Sequence, residues 1–332
     1  MENQWKDKQG RIHSYLRISL TEKCNLRCTY CMPENGIALS PRSELATAEE
    51  IYQLAKIFVS KGVNKIRLTG GEPLVRKDFK EILEKLSQLK VELAITTNAV
   101  LVDPYIHDFK RLGLKKINVS LDTLDSDKFK IISRRDLFHK TMQNINLLVQ
   151  EGFELKLNAV LIKDFNDDEI VEFIKLSGGQ SLQVRFIEFM PFDGNNWDKS
   201  KVVSEKEIIN KAAEFFDSDQ IIRLKDRPND TSRNYKIEAY EGSFAIISSV
   251  SNPFCSTCNR LRITANGKMK NCLFSAGETD LLGALRQGRN VEELIEANLM
   301  MKHKSRGGMD NMEKLSDKSL HSQNRSMISI GG

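Results

Sequence analysis

The sequence predicts an α/β fold in which six strand–helix units build a parallel sheet, followed by a C-terminal β-containing region. Two observations carry this. Short β-rich runs alternate with amphipathic stretches of helical period over the first two thirds of the chain, and such repetition means parallel strands joined by right-handed crossovers. The rhythm then breaks after about Phe215. The pattern leaves two windings open, a doubly wound open sheet or an incomplete β/α barrel.

The expected strands are 15–20, 64–68, 92–97, 116–121, 154–162 and 182–189, and the expected helices 48–61, 77–89, 104–112, 138–151 and 167–176. Thr47 followed by Glu50 is a capping box, and Gly62, Gly113 and Gly152 stand where helices should stop. Residues 226–234 are polar and contain Pro228, so they read as a loop. Runs at 235–240 and 244–248 read as strands. Residues 260–264 and 268–272 flank Asn266-Gly267, a hairpin signature suited to a type I′ turn. A helical stretch at 291–300 precedes a polar tail with little to bury. These shifts divide the chain into residues 1–225, the barrel, and 226–332, a C-terminal region ending in a flexible tail.

The chain of 332 residues is 40% hydrophobic and 29% charged, an ordinary globular composition. The first residues lack the apolar stretch of a secretory signal, and no apolar run reaches the ~20 residues of a membrane helix. A cytoplasmic protein without a membrane partner is expected. A formal charge of +5 gives no argument for nucleic acid. In a reducing compartment, clustered cysteines read as metal ligands rather than disulfides.

All six cysteines fall into two triplets: Cys24, Cys28 and Cys31 as C-x3-C-x2-C, and Cys255, Cys258 and Cys272 as C-x2-C-x13-C. Three thiolates are one short of the closed shell of a structural zinc site, and no histidine stands close enough in sequence to complete either set. An iron–sulfur cluster on three cysteines keeps one iron open to a ligand that is not protein. Two such sites point to an enzyme that coordinates two small molecules. The first triplet follows the first strand directly, in the loop position where α/β folds place active sites. The hairpin returns Cys272 towards Cys255 and Cys258.

Strand alternation adds a second signal. Arg17, Arg67, Lys156 and Arg185 each stand between apolar neighbours in a predicted strand, and Arg260 and Arg262 share one strand face while Leu261 takes the other. Apolar residues claim the helix-covered side, so the basic ones point inward. Buried unpaired cations are costly, and several converging on one cavity predict a bound polyanion, with arginine forks suited to phosphate oxygens.

The C-x3-C-x2-C motif with Tyr30 before its last cysteine, together with Thr69-Gly70-Gly71-Glu72-Pro73 after the second strand, resembles the radical S-adenosylmethionine (SAM) superfamily. The C-terminal Cys255-x2-Cys258-x-Arg260-x-Arg262 with the distant Cys272 resembles, within it, the GTP 3′,8-cyclase family of molybdenum cofactor biosynthesis. The likeness runs over nearly the whole chain. It implies an incomplete parallel (β/α)6 barrel of radical SAM type and two [4Fe–4S] clusters, one on each cysteine triplet. It implies SAM contacts at Tyr30, Gly71, Ser120 and Met190. It implies GTP contacts at Arg17, Arg67, Thr96, Lys156, Arg185, Arg260, Leu261 and Arg262, with Arg17, Arg260 and Arg262 also catalytic. Its implied partners are the substrate GTP, an external electron donor, the next enzyme of molybdopterin synthesis (cyclic pyranopterin monophosphate synthase) and a second copy in a homodimer. Ala99 departs from the family's usual glycine, and Gly331-Gly332 resembles its diglycine ending, which reaches towards the active site. The competing reading is a radical SAM peptide-modifying enzyme with an auxiliary cluster; a two-cluster electron carrier would favour four cysteines per cluster and would not need inward cations.

Overall fold

The computed structural model describes residues 4–331, so Gly332 lies outside the described residues. Among these, twelve strands join in one sheet. Six form the barrel staves: β1 (Tyr15–Ser19), β2 (Lys65–Thr69), β3 (Glu92–Thr97), β4 (Lys116–Ser120), β5 (Glu154–Leu161) and β6 (Leu182–Glu188). The later strands are β7 (Ile221–Arg223), β8 (Arg233–Ile237), β9 (Ser243–Ile247), β10 (Arg260–Ile263), β11 (Lys268–Lys270) and β12 (Thr279–Asp280). The order is β12-β11-β10-β1-β2-β3-β4-β5-β6-β9-β8-β7. From β10 through β1–β6 to β9 all neighbours are parallel, and the outer strands are antiparallel. The strands after residue 226 therefore extend the same sheet at both edges. This satisfies backbone groups that β1 and β6 would otherwise leave bare, and the sheet remains unclosed.

Helices α1 (Ala48–Ser60), α2 (Phe79–Ser87), α3 (Ile106–Arg111), α4 (Ser126–Ser133), α5 (Phe138–Gln150), α6 (Ile170–Lys175) and α7 (Glu205–Ala213) accompany the staves. Alternation decides the faces. Leu16, Ile18, Ile66, Leu68, Ile95, Ile117, Leu155 and Val184 are buried in one continuous core with Leu54, Phe58, Phe79, Phe109 and Phe173 of the helices. Thr47 and Glu50 form the expected reciprocal cap on α1. The helix-ending Gly62, Gly113 and Gly152 all have positive φ, the left-handed exit that glycine adopts without strain. Pattern reading missed α4 and α7. The first is short and exposes Ile131. The second is announced by a capping box, Ser204 with Glu207, that was legible.

The β10–β11 hairpin differs from expectation. Arg262 pairs with Lys270 and Ile263 with Met269, which leaves a three-residue loop, 265–267. Only Gly267 in it has positive φ, whereas a type I′ turn needs two such residues. Thr264 donates its N–H to Lys268 O and accepts from Gly267 N, as in a type I turn closed by a glycine bulge.

The polar tail also has more to bury than composition suggests. Leu315, Met309, Ile328 and Ile330 are buried, and a second small core joins Met309 and Leu315 to Phe189, Trp197, Val250 and Phe274. Asn324 accepts a hydrogen bond from the fully buried Lys270 ammonium. Among the described residues no helix is long and apolar enough to cross a membrane.

A Cβ on Gly267 would stand 2.2 Å from Leu282 Cβ, at a φ of +70°. Gly267→Ala is expected to destabilise the protein by about 2 kcal/mol or more, seen as a lowered midpoint in thermal denaturation.

Candidate active site

The barrel interior is graded along its axis. Towards the carboxyl ends of the strands lies a cavity walled by the first cysteine triplet. Towards the amino ends lies a larger cavity of about 860 Å3 walled by cations, within the ~300–1,000 Å3 of small-molecule sites.

The upper cavity is reached by the loop that leaves β1. Cys28 O accepts from the N–H groups of Cys31 and Met32, so one turn presents both sulfurs. Cys24 Sγ accepts from Leu26 N at 3.4 Å and from Asn98 Nδ2 at 3.8 Å. Burial raises the Cys24 thiol to about 11, and burial together with charge on Asp122 and the neighbouring sulfurs holds Cys28 and Cys31 higher still. Three thiols that oppose one another's ionisation are stable as thiolates only around a cation. Three thiols on one loop are the donor set of a cluster with an open iron, although among the described residues no three Cys, His, Asp or Glu side chains are drawn together as a metal site. Tyr30, Gly71, Ser120 and Met190 all line this same cavity.

Gly70 and Gly71 have a structural cause as well. A Cβ on Gly71 would lie 2.4 Å from Lys23 O, and one on Gly70 2.7 Å from Thr21 O. Without side chains, β2's exit seats directly on the cysteine loop, with Gly71 N donating to Thr21 O and Glu72 N to Lys23 O. Glu72, fully buried, fixes the next turn by accepting from Thr97 Oγ1, Asn98 N and Leu74 N. Its carboxyl is raised to about 7 by burial, against these hydrogen bonds. Ala99 keeps a left-handed φ of +63°, so the turn has the geometry that suits glycine, at some strain for alanine.

In the lower cavity, alternation works as expected. Arg17, Arg67, Lys156, Arg185 and Arg260 line it. Arg17 and Arg67 are buried; the other three are half-buried. Burial and the mutual repulsion of these cations pull Lys156 down to about 7, Arg185 to about 9 and Arg17 to about 10. Of the carboxylates in the wall, Glu92 is engaged by Lys65 and Lys116, Glu154 stands 3.9 Å from Lys116, and Asp230 acts on Lys156 against the other charges. Buried Arg185 Nε and Arg260 Nη2 have no hydrogen-bond partner among the described residues. Such unsatisfied donors fit an anion.

Three predicted contacts sit outside the lower-cavity wall. Thr96 lines the upper cavity, its buried hydroxyl without a hydrogen-bond partner among the described residues. The Leu261 side chain belongs to the helix-facing core, so only its backbone is available to a ligand. Arg262 is held in register beside Arg17, lowered to about 9 by burial and by Arg17 and Arg260. Its Nη1 donates to Gly331 O at 3.0 Å. Gly331 enters the barrel mouth so closely that a Cβ would meet Thr69 Oγ1 at 2.7 Å, and Met327 and Ile328 complete the upper cavity wall.

The second triplet gathers behind Arg260. Cys255 and Cys258 share a turn in which Cys258 N donates to Cys255 O, and Cys272 follows β11. Burial raises Cys272, partly against the Lys302 charge. For Cys258 the balance reverses: Lys302 and Arg260 outweigh burial and lower it. Lys302, itself buried, donates to the carbonyl oxygen of Asn271. These three thiols are likewise the donor set of a three-cysteine cluster.

Pattern reading missed Tyr15, Lys65 and Lys116, which line the lower cavity. Tyr15 and Lys65 stand two residues before Arg17 and Arg67, so the same alternation pointed to them. The loop bearing Arg227 and Asp230, also in the wall, gave no such signal.

Comparison with known proteins gives a consistent outcome. A Radical SAM superfamily model matches residues 18–177, and a Molybdenum Cofactor Synthesis C model matches residues 182–307. Over 98% of its length the chain is 45% identical to "GTP 3′,8-cyclase, mitochondrial" of Arabidopsis thaliana, covering 83% of that protein. It is 44% identical to molybdenum cofactor biosynthesis protein 1 of Bos taurus over 98% of this chain. It spans about half (51%) of that relative's length. The crystal structure of Streptococcus suis SuiB bound to S-adenosylmethionine aligns with a TM-score of 0.61 over 97% of this chain and 79% of that one. At 15% identity this likeness concerns the fold alone.

Gly71→Ala is expected to displace the cysteine loop, because the backbone oxygen in its path cannot move without the loop. The expected outcome is about 1–3 kcal/mol of lost stability and sub-stoichiometric iron after anaerobic reconstitution, measured by denaturation and by iron analysis.

Proposed function

The chain belongs to the GTP 3′,8-cyclase family of radical SAM proteins, and on that premise we propose that its lower cavity binds GTP between two [4Fe–4S] clusters and that C3′ of the ribose becomes bonded to C8 of guanine. The product is 3′,8-cyclo-7,8-dihydro-GTP, the first intermediate of molybdopterin synthesis. The single observation that supports this assignment best is the ring of inward cations beneath an open thiol triplet.

Cys24, Cys28 and Cys31 would hold the first cluster, with SAM against Tyr30, Gly71, Ser120 and Met190. When bound, these two groups supply the 5′-deoxyadenosyl radical that removes the C3′ hydrogen. Cys255, Cys258 and Cys272 would hold the second cluster, with the purine near Arg260, the Leu261 backbone and Arg262. The residues themselves orient and shield. Arg17, Arg67, Lys156 and Arg185 offer forks and an ammonium to the triphosphate, and Thr96 offers a hydroxyl from the wall of the upper cavity. Met190, Val160, Ile187 and Ile328 make the upper wall apolar, which keeps water from radicals. Positioning of this kind lowers the barrier without the protein entering the chemistry. Arg17 and Arg262 are register partners on β1 and β10, Arg262 shares its strand with Arg260 and feels the charge of Cys258 and Cys272, and these three are assigned the catalytic electrostatics. An external one-electron donor, a cytoplasmic location, homodimer formation and transfer of product to cyclic pyranopterin monophosphate synthase belong to the same proposal. Against the peptide-modifying alternative, the named relatives from Arabidopsis thaliana, Bos taurus and Rhodopirellula baltica, at 45%, 44% and 41% identity, carry cyclase or molybdenum cofactor names.

Three outcomes test the assignment. Reconstituted protein given SAM, dithionite and GTP is expected to form 5′-deoxyadenosine only when GTP is present; equal turnover without GTP, or with ATP in its place, would contradict it. Iron analysis should approach about eight irons per chain, and zinc at the second triplet would refute that half. Lys156→Ala should weaken GTP binding by about 1.5–3 kcal/mol, the loss of a hydrogen bond to a charged group, measured by calorimetry without SAM.

A further inference from the structure

Tyr15 stands at the amino end of β1, in register with Arg260 on one side and Lys65 on the other. Its hydroxyl oxygen faces into the cation ring. Arg67 Nε donates to it at 2.6 Å and Arg17 Nη1 at 3.5 Å, while the Lys65 ammonium lies 5.1 Å from the ring centroid. Arg185, from β6, also feels its charge. Three carboxylates share the wall: Glu92 is bonded to Lys65 and Lys116, Glu154 stands 3.9 Å from Lys116, and Asp230 acts on Lys156. The phenol oxygen thus takes guanidinium contacts that a phosphate oxygen would also seek.

We propose that Tyr15 is a proton-linked placeholder in the nucleotide cavity: its oxygen occupies the Arg67 and Arg17 donors until a phosphate chain displaces it, and displacement goes with protonation of that oxygen. The inference rests on the nucleotide reading above. The one bond formed in the chain is the phenol O–H, its proton supplied by solvent.

The charge environment gives the direction. Burial alone would raise the hydroxyl, but Arg67, Arg17 and Lys65 outweigh it and hold Tyr15 at about 7. A bound triphosphate neutralises those cations and returns the hydroxyl towards its ordinary ~10. Above about pH 7 the empty cavity therefore holds a phenolate, and binding takes up a proton. By linkage, affinity falls as pH rises. Lys156, held at about 7 in the empty cavity, adds an uptake of its own, so the contribution of Tyr15 is read as a difference.

The test uses cluster-loaded protein without SAM. Inorganic tripolyphosphate, added at about pH 8, should bleach the near-ultraviolet tyrosinate band of the wild type. Tyr15→Phe should show no such change, and Arg67→Gln should lack the band before any addition. In calorimetric titrations with GTP above neutral pH, the wild type should lose about tenfold more affinity per pH unit than Tyr15→Phe. A wild type that binds GTP without loss of tyrosinate, or equal pH slopes in the two proteins, would overturn the inference. Absence of GTP binding altogether would instead overturn the nucleotide reading.

Discussion

Positive charge gathered inside a sheet is the constraint on which the rest of this molecule depends. A helix-covered sheet has one face for apolar residues, and Leu16, Ile18, Ile66, Leu68, Leu155 and Leu157 fill it. The alternate positions then have no choice but to face the barrel axis, and here they carry Arg17, Arg67 and Lys156. Like charges in a confined space repel and lose hydration. Burial first, and then the repulsion among these cations, lowers the proton affinities of Arg17, Lys156, Arg185 and Arg262. Stability is thus given up locally for a ready-made anion site, as functional sites often require.

The grading of the interior follows from the same geometry. Successive inward positions on β1 are Tyr15, Arg17 and Ser19; on β2 they are Lys65, Arg67 and Thr69; on β4, Lys116, Asn118 and Ser120. Each stave passes from charged to small and neutral as it nears the cysteine loop. A phosphate chain and an apolar, thiol-walled chamber can therefore be stacked along one axis. The tail closes the arrangement: Arg262 holds the Gly331 carbonyl, and Met327 and Ile328 seal the upper wall. Because β10 pairs directly with β1, the second thiol triplet is tied to the stave that also presents Arg17. The relative placement of the two sites is thus set by the sheet itself.

Most of this was legible. All six barrel strands lie within one or two residues of the positions that alternation and flanking glycines implied, and the inward cations followed from alternation alone. The thiol triplets and Gly70-Gly71 were visible as motifs, but the reason for the glycines was not: they admit the backbone of Thr21 and Lys23, a contact between segments distant in sequence. The hairpin turn was misassigned because Asn-Gly fits both a two-residue loop and the bulged three-residue loop, and only the pairing of Arg262 with Lys270 distinguishes them. The tail was underestimated because its apolar residues, Met309, Leu315, Ile328 and Ile330, are sparse; they find partners supplied by Phe189, Trp197 and the barrel mouth rather than by their neighbours.

The central claim is that the inward cations form one anion site, and its most direct measurement is the thermal midpoint of the protein with and without inorganic tripolyphosphate. A ligand that binds only the native state must raise that midpoint in step with its concentration. The account predicts such a rise for the wild type and its loss when Arg17, Arg67 and Lys156 are replaced together by methionine, which should itself melt no lower than the ligand-free wild type. An unchanged wild-type midpoint, or an equal rise in the triple variant, would contradict it.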